Sequence, residues 1–291
     1  MAQCLLCDGK LEFLREYIFR TEEFKDIYRD NGVYRCPECD LVQMDSSKVT
    51  DADLTEYYRY AYRNIAKITS IESEASKLRY TARGIGLLRL AEAHVQSGIR
   101  QVFEVGAGYG YNLKVVKEAY PDATIFTDEI DEDFMETMNS QQVSLDDGPY
   151  DVIILSHVLE HFRRPQDLLQ SAINSLSTGG VIVAEVPNDL DGLSSVTPCD
   201  EPHTTFFTRE TFQRLVESVS GLSLEQILIT GPANRRYVSN VLPPSNFRSK
   251  IKRLVPSPIR QLRRTLIQPK IPDYTTPTEN GIYMRSAIIR R

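Results

Sequence analysis

The sequence predicts an α/β protein: a mostly parallel sheet covered by helices on both faces, preceded by a small ribbon held by cysteines. Three observations predict it. From residue 99 onward, short apolar runs of strand length alternate with segments of helical period, the pattern of parallel strands joined by crossover helices. Four of the five cysteines lie in two Cys-x-x-Cys pairs within the first 40 residues, which in a reducing compartment points to metal more than to disulfides. The length is 291 residues, with 41% apolar and 25% charged composition. That is room for about two domains and a core that needs no covalent staples.

The ribbon spans residues 1–50. Its pairs are Cys4-Leu5-Leu6-Cys7 and Cys36-Pro37-Glu38-Cys39. A two-residue gap lets both thiolates of a pair reach one ion from a tight turn, and two such knuckles complete a tetrahedral site. The expected ion is Zn2+ in a structural role, since four cysteines leave no open position for substrate; a redox dithiol is the alternative. Leu11–Leu14 and Val33–Arg35 are the expected strands. Residues 51–98 read as a helical linker or lid. Asp51 or Asp53 would cap a first helix carrying Leu54, Tyr57, Tyr58, Ala61, Ile65 and Ile68, and Ser70 a second carrying Leu78, Ala82, Ile85, Leu88 and Ala91. The tyrosines either pack on the next domain or form a lid in which Tyr57 offers its phenol to a bound ligand.

In the core, residues 99–291, the expected strands are Gln101–Val105, Ala123–Thr127, Val143–Leu145, Tyr150–Ser156, Gly180–Val186 and Leu222–Thr230. The expected helices are Gly110–Ala119, Asp131–Asn139, Pro165–Leu176 and Thr208–Ser218. Ligands of such sheets bind beyond the carboxyl ends of the strands, where strand order reverses. The loop there reads Glu104-Val105-Gly106-Ala107-Gly108-Tyr109-Gly110. A dinucleotide fingerprint would need its third glycine at Tyr111, which disfavours a pyrophosphate cradle. Instead Glu104 suits a cationic ammonium group, and the glycines let backbone lie against a ribose and a short chain. Glu129, at the end of the second strand, can accept from both ribose hydroxyls. A ligand with ribose, adenine and an amino-acid tail is S-adenosyl-L-methionine (SAM).

These residues resemble class I SAM-dependent methyltransferases, whose core is a Rossmann-like seven-stranded sheet. Glu104–Gly110 resembles their first motif. Asp151-Val152-Ile153-Ile154-Leu155-Ser156-His157-Val158-Leu159-Glu160-His161 resembles their fourth strand and its following loop. Gly179-Gly180 matches ahead of the fifth strand, and Gly281–Arg290 would insert antiparallel as the last. The front end, Tyr34 to Gln43 around the second cysteine pair, is similar to a subgroup with an N-terminal zinc module. That subgroup includes sugar C-methyltransferases and relatives encoded with surface-polysaccharide genes. The resemblance implies a cofactor site of Glu104, Gly106, Ala107, Gly108, Gly110, Glu129, Ile130, Asp146, Ser156 and His157. It implies catalysis with His203 as base, Glu201 orienting it, and Tyr57 and His157 nearby. The subgroup joins its Glu-His pair directly, whereas Pro202 separates Glu201 from His203 here, which favours an O-methyltransferase or a different acceptor. Of the remaining histidines, His94 reads as surface or packing.

The net charge of −6 argues against a dedicated nucleic-acid binder. Residues 231–280 nonetheless read as a basic helical insertion, with ten Lys and Arg and no Asp or Glu over 231–272. It would dock on the core, clamp a phosphorylated acceptor, or contact an anionic membrane surface. No apolar run reaches the roughly 18 residues of a membrane span, and the N-terminus lacks a signal pattern; the expected location is cytoplasmic. The function implied is methyl transfer from SAM to a small sugar-containing or phosphorylated acceptor. The alternatives are a non-catalytic relative recruiting a partner through its zinc module, and an RNA or protein methyltransferase. The sequence leaves the oligomeric state open.

Overall fold

The computed structural model describes residues 3–19, 21–29, 31–45, 47, 49–58, 74–128, 141–188, 200–233, 274–279 and 281–291. Outside these lie residues 59–73, with Ala61, Ile65, Ile68 and the expected cap Ser70, together with Glu129 and Ile130, the expected helix Asp131–Asn139, Cys199, and most of the basic insertion.

The core sheet contains β4 (Gln101–Glu104), β5 (Thr124–Thr127), β6 (Gln141–Gln142), β7 (Tyr150–Ser156), β8 (Leu176–Pro187), β10 (Leu222–Ala233) and β11 (Gly281–Arg290). Their order is β10-β11-β8-β7-β4-β5-β6. β4, β5, β6, β7 and β8 are parallel, while β11 inserts antiparallel between β8 and β10. The order reverses at β4, which has β5 on one side and β7 on the other.

Successive side chains of a strand face opposite ways, and both faces of this sheet are buried. In β7, Val152 and Ile154 join Leu87, Ala91, Leu113 and Val116 on one face. Those come from two helices, α3 (Glu74–His94) and α4 (Tyr111–Ala119). Ile153 and Leu155 of β7 meet Leu169, Ile173, Phe212 and Leu215 on the other face, from α5 (Pro165–Asn174) and α6 (Arg209–Glu217). Pro165 sits at the first turn of α5, where its missing N–H costs nothing. Thr208 caps α6 by accepting from the Thr211 N–H. Among the described residues no helix is long and apolar enough to cross a membrane.

The third-strand expectation is corrected. β6 ends before Val143, whose N–H still reaches Thr127 O at 3.2 Å. Ser144 then caps a 3₁₀ turn, Leu145–Asp147, with Asp147 returning a bond to the Ser144 N–H. This reciprocal cap closes the strand where Leu145 was expected to extend it. His94 packs from α3 onto β10, with its Nε2 3.0 Å from Gln226 Oε1.

The N-terminal module forms a second sheet, β1 (Glu12–Glu16), β2 (Gly32–Arg35), β3 (Val42–Met44) and β9 (Thr205–Phe206), all antiparallel. Two short helices accompany it, α1 (Glu22–Ile27) and α2 (Asp51–Glu56), the latter opened by a Thr50–Asp53 capping box. The sequence suggests neither β3 nor β9. β9 belongs to the core stretch after β8, so the two parts of the chain share this sheet. Their apolar interiors also merge: Cys4, Cys36, Cys39 and Leu41 are in one buried cluster with Ile153, Leu169 and Phe207.

Candidate active site

The glycine loop begins where β4 ends. Gly106, Gly108 and Gly110 have φ of +56°, +57° and +67°, left-handed values that glycine adopts without the penalty other residues incur. These turns bring the chain back to start α4 directly behind the loop. The Gly106 N–H donates to Asp128 Oδ1 at 2.6 Å, tying the loop to the end of β5. Glu104 is buried, and its Oε1 accepts from Asn112 Nδ2 at 2.6 Å. Around positions 106 and 108 the surroundings are open: an added Cβ at Gly106 would meet only Val158, at 3.6 Å, and at Gly108 nothing within 4 Å. An acid, a left-handed glycine loop and open space thus lie together at the reversal of strand order, where ligands of this architecture bind.

Past β7 the chain turns sharply at His157, a non-glycine residue at φ +56°, a conformation that costs about 1–2 kcal/mol. The turn places the imidazole between two carboxylates. Nδ1 lies 3.0 Å from Glu160 Oε1 and Nε2 lies 3.3 Å from Glu185 Oε1. Burial and the Arg83 charge lower the His157 pKa, but the two carboxylates outweigh them and hold it above the ordinary value. Burial opposes ionisation of Glu185; Arg83 and Arg285 overcome it and hold its carboxyl well below the usual range. Arg285 Nε is 2.6 Å from Glu185 Oε2, and Arg83 pairs with Oε1. The Arg83 guanidinium also stacks 4.6 Å from the centre of the Tyr283 ring.

A second group follows. Glu160 and His161 occupy the 3₁₀ turn Leu159–His161, and His203 lies on the loop before β9. One ligand atom from each lies within 4.8 Å of the others. The His161 and His203 rings are 5.0 Å apart. Burial lowers the pKa of both; the neighbouring His161 pushes His203 further, to about 3. Burial raises the Glu160 carboxyl, while His161 and the hydrogen bond to His157 bring it to about 2.

In the N-terminal module the four cysteines converge, each sulfur within 4.8 Å of the other three. Cys4 Sγ to Cys39 Sγ and Cys7 Sγ to Cys36 Sγ are both 3.4 Å. The two knuckles repeat one geometry. Asp8 and Asp40 are left-handed, at φ 57° and 63°. Each donates its N–H, at 2.9 Å, to the carbonyl of the first cysteine of its pair, Cys4 or Cys36. Ligands bound about 2.3 Å from one tetrahedral ion stand roughly 3.8 Å apart, so the thiols are gathered at the spacing such an ion needs.

The structure brings together Glu104, Gly106, Ala107, Gly108 and Gly110, with Ser156 and His157 at the adjoining end of β7. Asp146 is exposed in the turn after β6. Glu201 does not orient His203 as expected. Its Oε2 accepts from the Thr21 N–H at 2.7 Å and its Oε1 from Tyr57 Oη at 2.5 Å, so this acid links the C-terminal end of α2 and the Thr21 cap of α1 to the loop, and the carboxylate beside His203 is Glu160. Tyr57 is buried against Phe24, with ring centres 4.7 Å apart. Sequence reasoning passes over Asp128, Asn112, Arg83, Glu185 and Arg285. The last two carried a signal: Glu185 and Arg285 interrupt otherwise apolar strands, and they stand directly opposite each other in the ladder.

A family profile described as a methyltransferase domain matches residues 74–226. No curated protein matches the sequence. Among solved structures, the chain is similar to the plantazolicin methyltransferase BpumL in complex with SAH, at a TM-score of 0.49 and 15% identity over 82% of this chain and 94% of that one. It is also similar to a SAM-dependent methyltransferase from Archaeoglobus fulgidus, at a TM-score of 0.42 and 19% identity over 72% and 94%. The profile covers more than half of the chain, including the glycine loop, β7 and the turn after it, and the chain therefore belongs to the methyltransferase domain family.

Proposed function

We propose that the protein transfers the methyl group of SAM to a small acceptor that contains a sugar or a phosphate, and that its N-terminal module holds a structural zinc ion on Cys4, Cys7, Cys36 and Cys39. The carrying observation is the arrangement at the strand ends. An acid-and-glycine loop at the reversal of strand order is followed, on the same edge, by the Glu160, His161 and His203 group. In this reading Glu104, Gly106, Ala107, Gly108 and Gly110 hold the amino-acid and ribose parts of SAM, with Ser156 and His157 beside the reacting end and Asp146 toward the adenine. Glu129 and Ile130 belong to the proposal from sequence alone.

The bound cofactor supplies a methyl group on a sulfonium centre, already a good leaving group, so the chain's main task is to position the acceptor. His157, held between Glu160 and Glu185, fixes the turn that carries Glu160 and His161. His203 is neutral at physiological pH and is the base candidate for an acceptor hydroxyl. Its depressed pKa makes it a weak base by itself. Tyr57 acts through Glu201, holding the loop that carries His203. The zinc ion crosslinks the two knuckles of the module, in addition to the module's own apolar cluster of Tyr17, Phe24, Tyr28, Val33 and Met44.

The test is calorimetric titration of the metal-loaded protein with SAM, repeated on Gly106→Arg. The expected result is micromolar binding in the wild type and none in the variant, because the arginine would fill the open loop and strain a left-handed position. Nucleotide-sugars and phosphorylated glycans are then screened for a mass increase of one methyl group. A wild-type protein that does not bind SAM, with or without these acceptors present, overturns the proposal.

A further inference from the structure

The group formed by Glu160, His161 and His203 has a property that the methyl-transfer reading leaves unused. Glu160 is 1% exposed, and only one of its oxygens is committed: Oε1 lies 3.0 Å from His157 Nδ1. Its Oε2 is buried and makes no hydrogen bond among the described residues. A buried carboxylate oxygen without a partner costs about 1–3 kcal/mol or more. Stranded groups of this kind are explained by strain, by a catalytic role or by an absent ion.

The neighbouring histidines are prepared as ligands. His161 Nδ1 is 3.2 Å from the Pro202 carbonyl oxygen, which can only accept. The proton therefore sits on Nδ1, and Nε2 keeps its lone pair 3.9 Å from Glu160 Oε1. A backbone carbonyl fixing the tautomer in this way is the usual outer support of a metal-bound histidine. Glu160 has matching support: His157 holds it, and Glu185 holds His157. The His203 ring packs against Phe206 and beside His161. His161 and His203 are each half-buried.

We infer that Glu160, His161 and His203 form a binding site for a divalent first-row transition-metal ion, distinct from the four-cysteine group. Two imidazoles and one carboxylate suit zinc, iron or manganese and leave coordination positions open. Ligands of one such ion stand roughly 3.0–3.5 Å apart. The ligand atoms here lie within 4.8 Å of one another, and a bound ion would draw them together.

What the ion does rests on the methyl-transfer reading; that it binds does not. An acceptor hydroxyl on an open position becomes more acidic and releases its proton to solvent. The oxygen's electron pair then forms the new C–O bond as the C–S bond of SAM breaks, and the sulfur keeps that pair as a neutral thioether. This removes the need for His203 to act as a strong base.

The test uses the full chain, stripped with a chelator and titrated with Co2+ under absorption spectroscopy. The wild type is expected to bind two equivalents. One gives thiolate-to-cobalt charge-transfer bands; the other gives ligand-field bands without them. Cys36→Ser should lose the first and keep the second. His203→Ala and Glu160→Gln should weaken the second at least tenfold and keep the first. His203 is only half-buried, so its variant stays informative where Glu160→Gln fails to fold, which circular dichroism reports. A wild type that saturates with the thiolate signature alone, or a His203→Ala protein that still binds both equivalents with wild-type affinity, overturns the inference. SAM titration of the same samples separates the two readings. Two cobalt equivalents without SAM binding would sink the methyl-transfer reading alone; SAM binding with thiolate-bound cobalt alone would sink the second site alone.

Discussion

Gly86 lies inside the long helix α3, where alanine is ordinarily the better residue by about 1 kcal/mol. Here the opposite is expected. A Cβ at position 86 would lie 1.9 Å from Arg285 Nη1 and 2.7 Å from the Tyr274 carbonyl oxygen. Arg285 cannot swing aside: it is 1% exposed, with Nε on Glu185, Nη1 on Tyr274 O at 2.6 Å and Nη2 on Arg83 O at 3.1 Å. Gly86→Ala therefore displaces one of the cations that balance Glu185. Breaking a buried pair costs about 3–5 kcal/mol, and the lower end applies because Arg83 and His157 stay in place. Offset by the helix gain, the net loss is about 2 kcal/mol. Equilibrium unfolding in urea measures it as a lower midpoint at unchanged slope. In an Arg285→Ala background the same substitution should cost less, since only the Tyr274 carbonyl remains to be moved. A neutral or stabilising Gly86→Ala in the wild-type background would refute the argument that α3 is notched to admit Arg285.

Three further outcomes are expected. Asp151 accepts from Ser97 and Ser177 hydroxyls at 3.0 Å and from the Arg100 and Gln101 N–H groups; burial opposes ionisation, and these donors hold its carboxyl below the ordinary value. Its contribution is therefore complete above about pH 3.9 and fades as pH falls through the depressed folded value, so the stability gap between wild type and Asp151→Asn should shrink below that pH in denaturant titrations. Arg15 grips Asp200 through both Nη atoms, at 2.6 and 2.8 Å; Arg15→Ala should cost about 1–3 kcal/mol and speed hydrogen exchange at the Met44 amide, which bonds Thr204 O at 2.8 Å, and unchanged exchange there would refute the link. Stripping metal with a chelator, or Cys36→Ser, should lower the unfolding midpoint and speed exchange at the same amide; a protein indifferent to both holds no structural ion in its module.

How much of this was legible in the sequence depended on the range of the cause. β11 falls at Gly281–Arg290 as the resemblance implies. β7 falls at Tyr150–Ser156 as expected, because an apolar run bounded by polar turns is a local signal. The glycine loop was legible for the same reason: three left-handed turns in five residues admit few substitutes. β9 was not, since Thr205–Phe206 is a strand only by pairing with Val42 and Gln43. The expectation that Glu201 orients His203 fails for a similar reason. Chain proximity put Glu201 beside His203, but its oxygens answer to Thr21 and Tyr57, while Glu160 arrives from the turn after β7. The Arg83–Glu185–Arg285 network joins a helix to two strands, and no spacing announces it. The only trace was charge inside an apolar run.

The seam between β3 and β9 has a consequence for how the chain matures. A boundary drawn at residue 74, where the family profile begins, would cut through a continuous sheet, leaving β9 without β3 and the Tyr17 hydroxyl without the His203 carbonyl it reaches across 186 positions. On the ribosome the module emerges first, and β3 must wait as a bare edge until Thr205–Phe206 appears. At about 5–20 residues per second that interval is roughly 10–30 s. An unpaired edge strand invites wrong partners, so the newborn module depends on early closure of its knuckles to stay in register, and the loop bearing His203 is the last piece to lock it.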